Sequence, residues 1–174
     1  MIILSQRKLE EQTREKSLSV VTSSAITGFF GGAFWGTLGF LANVFHFTDI
    51  HPNVILEPWS LGDWKTGWIG TTLSIFFLGL FGIVAAYIYY FTLKKFENFW
   101  VGIFYGLALF LFVFFILNPL FPSLNPITEL TKNTIITTLC LFVLFGVFIG
   151  YSISYDYHEM LREKGQAMEG KGEE

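Results

Sequence analysis

Cysteine, charge and catalytic signatures are all scarce in these 174 residues. The single cysteine, Cys140, excludes a disulfide framework or a cysteine-rich metal site within one chain. Charged residues make up 14%, where a water-soluble domain carries about 25%. They are absent altogether from residues 20–47, 67–93, 99–117 and 134–154. There is no glycine-rich phosphate loop, GxSxG elbow, HExxH helix or basic nucleic-acid patch. The chain therefore offers no motif for nucleotide or hydrolase chemistry, and nucleic acid is not an expected partner.

What is present is apolar bulk, including 21 phenylalanines. Each charge-free run has the length of a helix that crosses bilayer hydrocarbon, roughly 17 to 25 residues. A lipid-facing β-barrel would alternate in segments of about ten residues, and these runs are continuously apolar. The expected fold is an all-α membrane protein of four transmembrane helices with the lipid bilayer as its first partner. A charged arm (1–19) precedes the four-helix region (20–157), and a polar tail (158–174) follows it, ending in a solvated, disordered GQAMEGKGEE. Met1 to Leu4 is too short for a signal-peptide core, so the first span is expected to serve as its own insertion signal.

Orientation follows the positive residues. Arg7, Lys8, Arg14, Lys16, Lys94, Lys95, Arg162, Lys164 and Lys171 fall on one side, and only Lys65 and Lys132 on the other. Both termini are thus expected in the cytoplasm. Trp59, Trp64 and Trp68 would form the outer aromatic belt. Tyr87, Tyr89, Tyr90, Trp100, Tyr151, Tyr155 and Tyr157 would form the inner one. Trp35, midway along the first span, is expected to pack on a neighbouring helix. The five-residue link Lys94 to Asn98 predicts a tight hairpin of spans two and three.

The first span reads GFFGGAFWGTLGF over residues 28–40, and glycine costs a helix in water roughly 1 kcal/mol against alanine. In lipid, apolar helices gain little by hydrophobic association and depend on close contact. Ser24, Gly28, Gly32 and Gly36 recur every fourth residue and form one groove, which Gly39 and Asn43 would extend. Gly102 and Gly106, and Gly146, Gly150 and Ser154, repeat the device in spans three and four. Two readings compete: grooves that join the helices of one monomer, which is favoured, or a docking face for another membrane protein or a second copy.

The spans contain no acidic or basic residue except His46 near an end, which weighs against proton-coupled transport or intramembrane acid-base catalysis. Loop 45–68 is the densest candidate site. His46, His51, Asp49, Glu57 and Asp63 raise a metal reading, but their spacing fixes too few ligands and Pro52 interrupts any helix. The favoured reading sets His46 at the negative end of a helix dipole and leaves the others hydrated. Neither a metal nor a cofactor is expected. Glu57, Trp59, Asp63 and Trp64 instead suggest an interaction or anchoring edge, with Val54, Ile55 and Leu56 folded against the membrane surface. The third loop, rich in proline, would cover the bundle beside it. On the terminal side, His158 and Glu159 lack a second element to complete a catalytic pair.

GFFGGAFWGTLGF, HPNVILEPWSLGDWKTGWIGT and NTIITTLCLFVLFGVFIGYSISY together resemble the YqhR family, small integral membrane proteins of Bacillus-like, spore-forming bacteria. The resemblance runs from the first span to Tyr157. It implies a four-span bacterial inner-membrane protein and supplies no catalytic residue. The expected function is that of a non-enzymatic accessory or assembly subunit. A transport or channel component, with Thr and Asn side chains lining a path, is the alternative, and a membrane enzyme trails both.

The charge asymmetry yields a direct test. With Cys140 replaced by Ala, a cysteine at Ser60 or Ser123 reacts with an impermeant thiol reagent in intact cells, and one at Gln12 or Gln166 does not. The reverse pattern overturns the orientation.

Overall fold

A computed structural model describes residues 2–58, 67–96, 98–117, 121 and 127–169, and every regular element among them is helical. Four long helices follow in order: α1 (Ile2–Val44), α2 (Trp68–Thr92), α3 (Phe99–Leu111) and α4 (Lys132–Glu169). A 3-10 turn, Pro52–Leu56, precedes α2, and α3 continues through a wider π-helical turn, Phe112–Leu117. The stretches long and apolar enough to cross a membrane are Leu18–Val44, Trp68–Thr92, Phe99–Leu117 and Lys132–Glu163. Four crossings return both chain ends to one side, here called the terminal end; the opposite side is the loop end.

Two of the helices run well past their apolar stretches. The arm is not separate from the first span: α1 is continuous over 43 residues, about 65 Å at 1.5 Å per residue, twice the thickness of bilayer hydrocarbon. α4 likewise continues past its apolar run to Glu169, and 170–174 lie outside the described residues. At its other end α1 stops at Val44 although the apolar run continues to 47. His46 takes φ 62°. Its N–H donates to Asn43 O at 3.0 Å and the Phe47 N–H to Ala42 O at 2.8 Å, the paired bonds of a Schellman cap.

Packing follows the small residues. α1 lies along α2 on one flank and along α4 on the other, and α3 lies along α4. At the α1–α2 contact a Cβ on Gly28 would stand 2.5 Å from Gly82 O and 2.7 Å from Ala86 Cβ, and one on Gly32 would meet Leu78 O. Gly36 faces the Leu78 side chain, and the Phe29 ring covers Gly79. At the α3–α4 contact a Cβ on Gly146 would come within 2.5 Å of Gly106 Cα and 2.6 Å of Gly102 O, while Gly150 faces Gly102 and Tyr89. Ser24, fully buried, donates its hydroxyl to Val20 O at 2.8 Å within its own helix. Gly39 has nothing within 4 Å of its Cβ position, and Asn43 donates to Thr48 O at 3.0 Å. Neither extends the α1–α2 contact, because the helix ends there and its chain turns away.

The expected tight hairpin of spans two and three is replaced by a looser seam. Among the described residues α2 and α3 share no close run of backbone, and aromatic side chains bridge the two helices instead. The Tyr105 hydroxyl donates to Ala85 O at 2.6 Å, and the Tyr89 and Tyr105 rings meet edge to face at 5.1 Å. A short link limits the distance between helix ends, not which faces meet. Tyr89 and Tyr90 thus belong to the core with Ile149, Ile153 and Met160, not to an aromatic belt, whereas Tyr151 and Tyr155 are exposed. Trp35 packs against this core and meets the Phe148 ring at 6.3 Å.

The glycines separate into tight and open positions, which predicts opposite effects of one substitution. Gly82→Ala and Gly32→Ala force backbone against backbone and lower the melting temperature in detergent, at a cost of about 1 to 3 kcal/mol. Gly39→Ala meets no atom and gains helix propensity, so it melts at or above the parent. Equal melting of Gly82→Ala and Gly39→Ala would contradict the close approach.

Candidate functional site

Polar order in this protein concentrates at the two ends of the bundle. At the loop end, the chain leaving the α1 cap reaches Asp49, whose carboxylate accepts from the Thr131 hydroxyl at 2.8 Å and the Thr134 hydroxyl at 2.9 Å. The Asp49 N–H donates back to Thr134 Oγ1 at 2.9 Å, and Thr131 Oγ1 accepts the Thr134 N–H at 3.3 Å. A loop carboxylate thus closes a ring of hydrogen bonds around the first turn of α4, where the helix dipole also favours negative charge. The two hydroxyls hold the Asp49 carboxyl below its ordinary value. Thr48, buried beside it, accepts the Ile50 N–H at 3.2 Å.

The next residues form a wedge. His51 has extended backbone and its Nδ1 accepts the Asn53 N–H at 3.2 Å, an N-cap for the Pro52–Leu56 turn. Leu56 is 2% exposed. Asn53 Oδ1 lies 3.2 Å from Ser74 Oγ, which itself donates to Gly70 O at 2.8 Å. Ser74 is almost two turns into α2, roughly 9 Å below its Trp68 end, so the turn descends into the bundle. Ile50, Val54 and Ile55 pack on Phe110, Phe114 and Phe121 with Ile135, Leu139 and Phe142. Of the Val54–Leu56 run expected on the membrane surface, Leu56 is therefore buried, and Val54 and Ile55 are partly buried against the helices.

Of the four loop residues read as an interaction edge, Glu57 alone is described. It ends the wedge, its N–H bonded to Val54 O at 3.0 Å, while Trp59, Asp63 and Trp64 lie outside the described residues, as do Asn118, Pro119, Pro122, Asn125 and Pro126 of the third loop. No three His, Cys, Asp or Glu side chains gather into a metal-sized group among the described residues. His46 and His51 serve instead as a turn residue and a cap, and the His51 ring meets Phe40 edge-on at 5.8 Å.

At the terminal end, the Ser154 hydroxyl donates to Phe96 O at 3.0 Å and receives the Tyr89 hydroxyl at 3.2 Å. This chain ties α2, α4 and the α2–α3 link together. Lys94 Nζ sits 4.0 Å from the Tyr90 ring centre and 4.9 Å from that of Tyr157. Ser23 donates to Asp156 at 2.6 Å, joining α1 to α4 beside a cleft of about 250 Å³ lined by Ser19, Glu159 and Glu163. His158 Nδ1 lies 2.8 Å from Ser154 O, one turn back on its own helix. Asp49 with Thr131 and Thr134, and Tyr89 with Ser154, escaped the sequence reading as groups. The Thr131 to Thr134 spacing ahead of an apolar run is a recognisable helix start, but its partner 82 residues away leaves no local signal.

Four apolar helices closed by glycine contacts, with polar order confined to the ends, define a multi-pass helical membrane protein. The family model for the conserved membrane protein YqhR matches residues 4–168, and the chain belongs to that family. It is similar to the protein described as uncharacterized protein YqhR of Bacillus subtilis (strain 168), with 46% identity over 157 residues and 88% of each chain covered. No solved structure matches.

The Asp49 ring predicts a stability effect with a defined sign. A carboxyl held below its unfolded value stabilises above that value and loses its contribution as pH falls through the folded one. Asp49→Asn thus lowers the detergent melting temperature at neutral pH, and the gap to the parent closes as pH drops below the carboxylate range. A gap that persists unchanged in acid would show that the charge is not what the threonines hold. His46→Gly, at a left-handed position, raises stability by up to about 1 kcal/mol.

Proposed function

We propose that this chain is a non-enzymatic accessory or assembly subunit of the bacterial cytoplasmic membrane, with both termini in the cytoplasm and the loop end outside. The observation that carries the reading is where the polar side chains of the spans are used. Thr22, Ser24, Thr37, Thr72 and Ser74 all donate to the carbonyl one turn back on their own helices, at 2.8 to 3.0 Å. Hydroxyls used this way have their one proton committed within their own helix. The charge-free spans likewise leave no acid or base for coupled transport.

What the protein presents is a fixed platform. The α1 cap, the Asp49 ring and the Pro52–Leu56 turn hold the loop up to Pro58, and Trp59, Asp63 and Trp64 follow it in the sequence. Aromatic residues on a rigid support are favoured at recognition surfaces because little freedom is lost on binding. The loop is the docking edge, and a second membrane protein or another copy of the chain is its partner.

Photo-crosslinking residues at Trp59, Trp64 and, as a lipid-facing control, Phe104 (65% exposed) test this in native membranes. A discrete protein adduct from the loop positions and none from Phe104 is expected, together with solute and ion flux in proteoliposomes no greater than in empty vesicles. Flux above that background, with no loop adduct, would replace the accessory role by transport.

A further inference from the structure

We draw no further inference here: the strongest candidate, the cleft between α1 and α4 at the terminal end lined by Ser19, Ser23, Asp156, Glu159 and Glu163, is an acidic cluster in which Ser23 already donates to Asp156, and nothing among the described residues points to a ligand for it.

Discussion

Everything in this molecule depends on how closely helices can approach when lipid offers them no hydrophobic gain for doing so. Where Gly28 meets Gly82, and where Gly102 and Gly106 meet Gly146, backbones touch with no side chain between them. Dispersion contacts accumulate along such seams, and the result is two close pairs, α1–α2 and α3–α4. The pairs are joined by bulkier matter: Gly31 against the Phe145 and Phe148 rings, and the Tyr89–Tyr105 contact. A bundle with two tight seams and two wide ones cannot be filled by helices alone. The first loop supplies the missing volume by sending Val54 and Ile55 inward onto Phe110 and Phe114.

The same solvent sets the polar bookkeeping. A hydroxyl with no partner in hydrocarbon is costly, so those of Thr22, Ser24, Thr37, Thr72 and Ser74 turn back to their own helices, and those of Tyr105, Thr134 and Ser154 cross-link separate elements. Tyr89 is instructive because it does both jobs of an amphipathic side chain: its ring fills the core and its hydroxyl reaches Ser154. Among the described residues, Trp35 Nε1 is the buried side-chain polar atom without a partner. Its ring earns its place through packing alone, beside Phe34 and Phe148.

The spans could be read from the sequence because exclusion of charge from hydrocarbon leaves a mark on every residue of a crossing helix. The four-residue spacing of Ser24 to Gly36 likewise marks a face. It does not name the partner, since Gly28 would read the same whether it met α2, α4 or another chain. The same limit explains Tyr89 and Tyr90: sequence position gives a residue its depth but not its direction around the helix axis. The stop at Val44 was hidden because Phe45 to Phe47 continue the apolar run while the backbone, through His46, leaves the helix. At the loop end, His51 and Asp49 were visible as chemistry, and what they bind was not, because Thr131 lies far along the chain.

Local and distant constraints meet at the loop end in a way that bears on recognition. A loop attached only at its two ends would have to be ordered by its partner, at a cost of roughly 0.5 to 1.5 kcal/mol for each immobilised side chain. Here the segment from Phe45 to Pro58 is fixed in advance by the α1 cap, the Asp49 ring and the buried Leu56. Much of the ordering has therefore been done by folding, and the residues that follow begin from a fixed point. Because the wedge also contacts Ser74 and the phenylalanines of α3, displacement of the loop would disturb helices that do not touch its outer surface. A partner that pulled on this loop would be felt at the aromatic α2–α3 seam, which has no glycine contact to resist it.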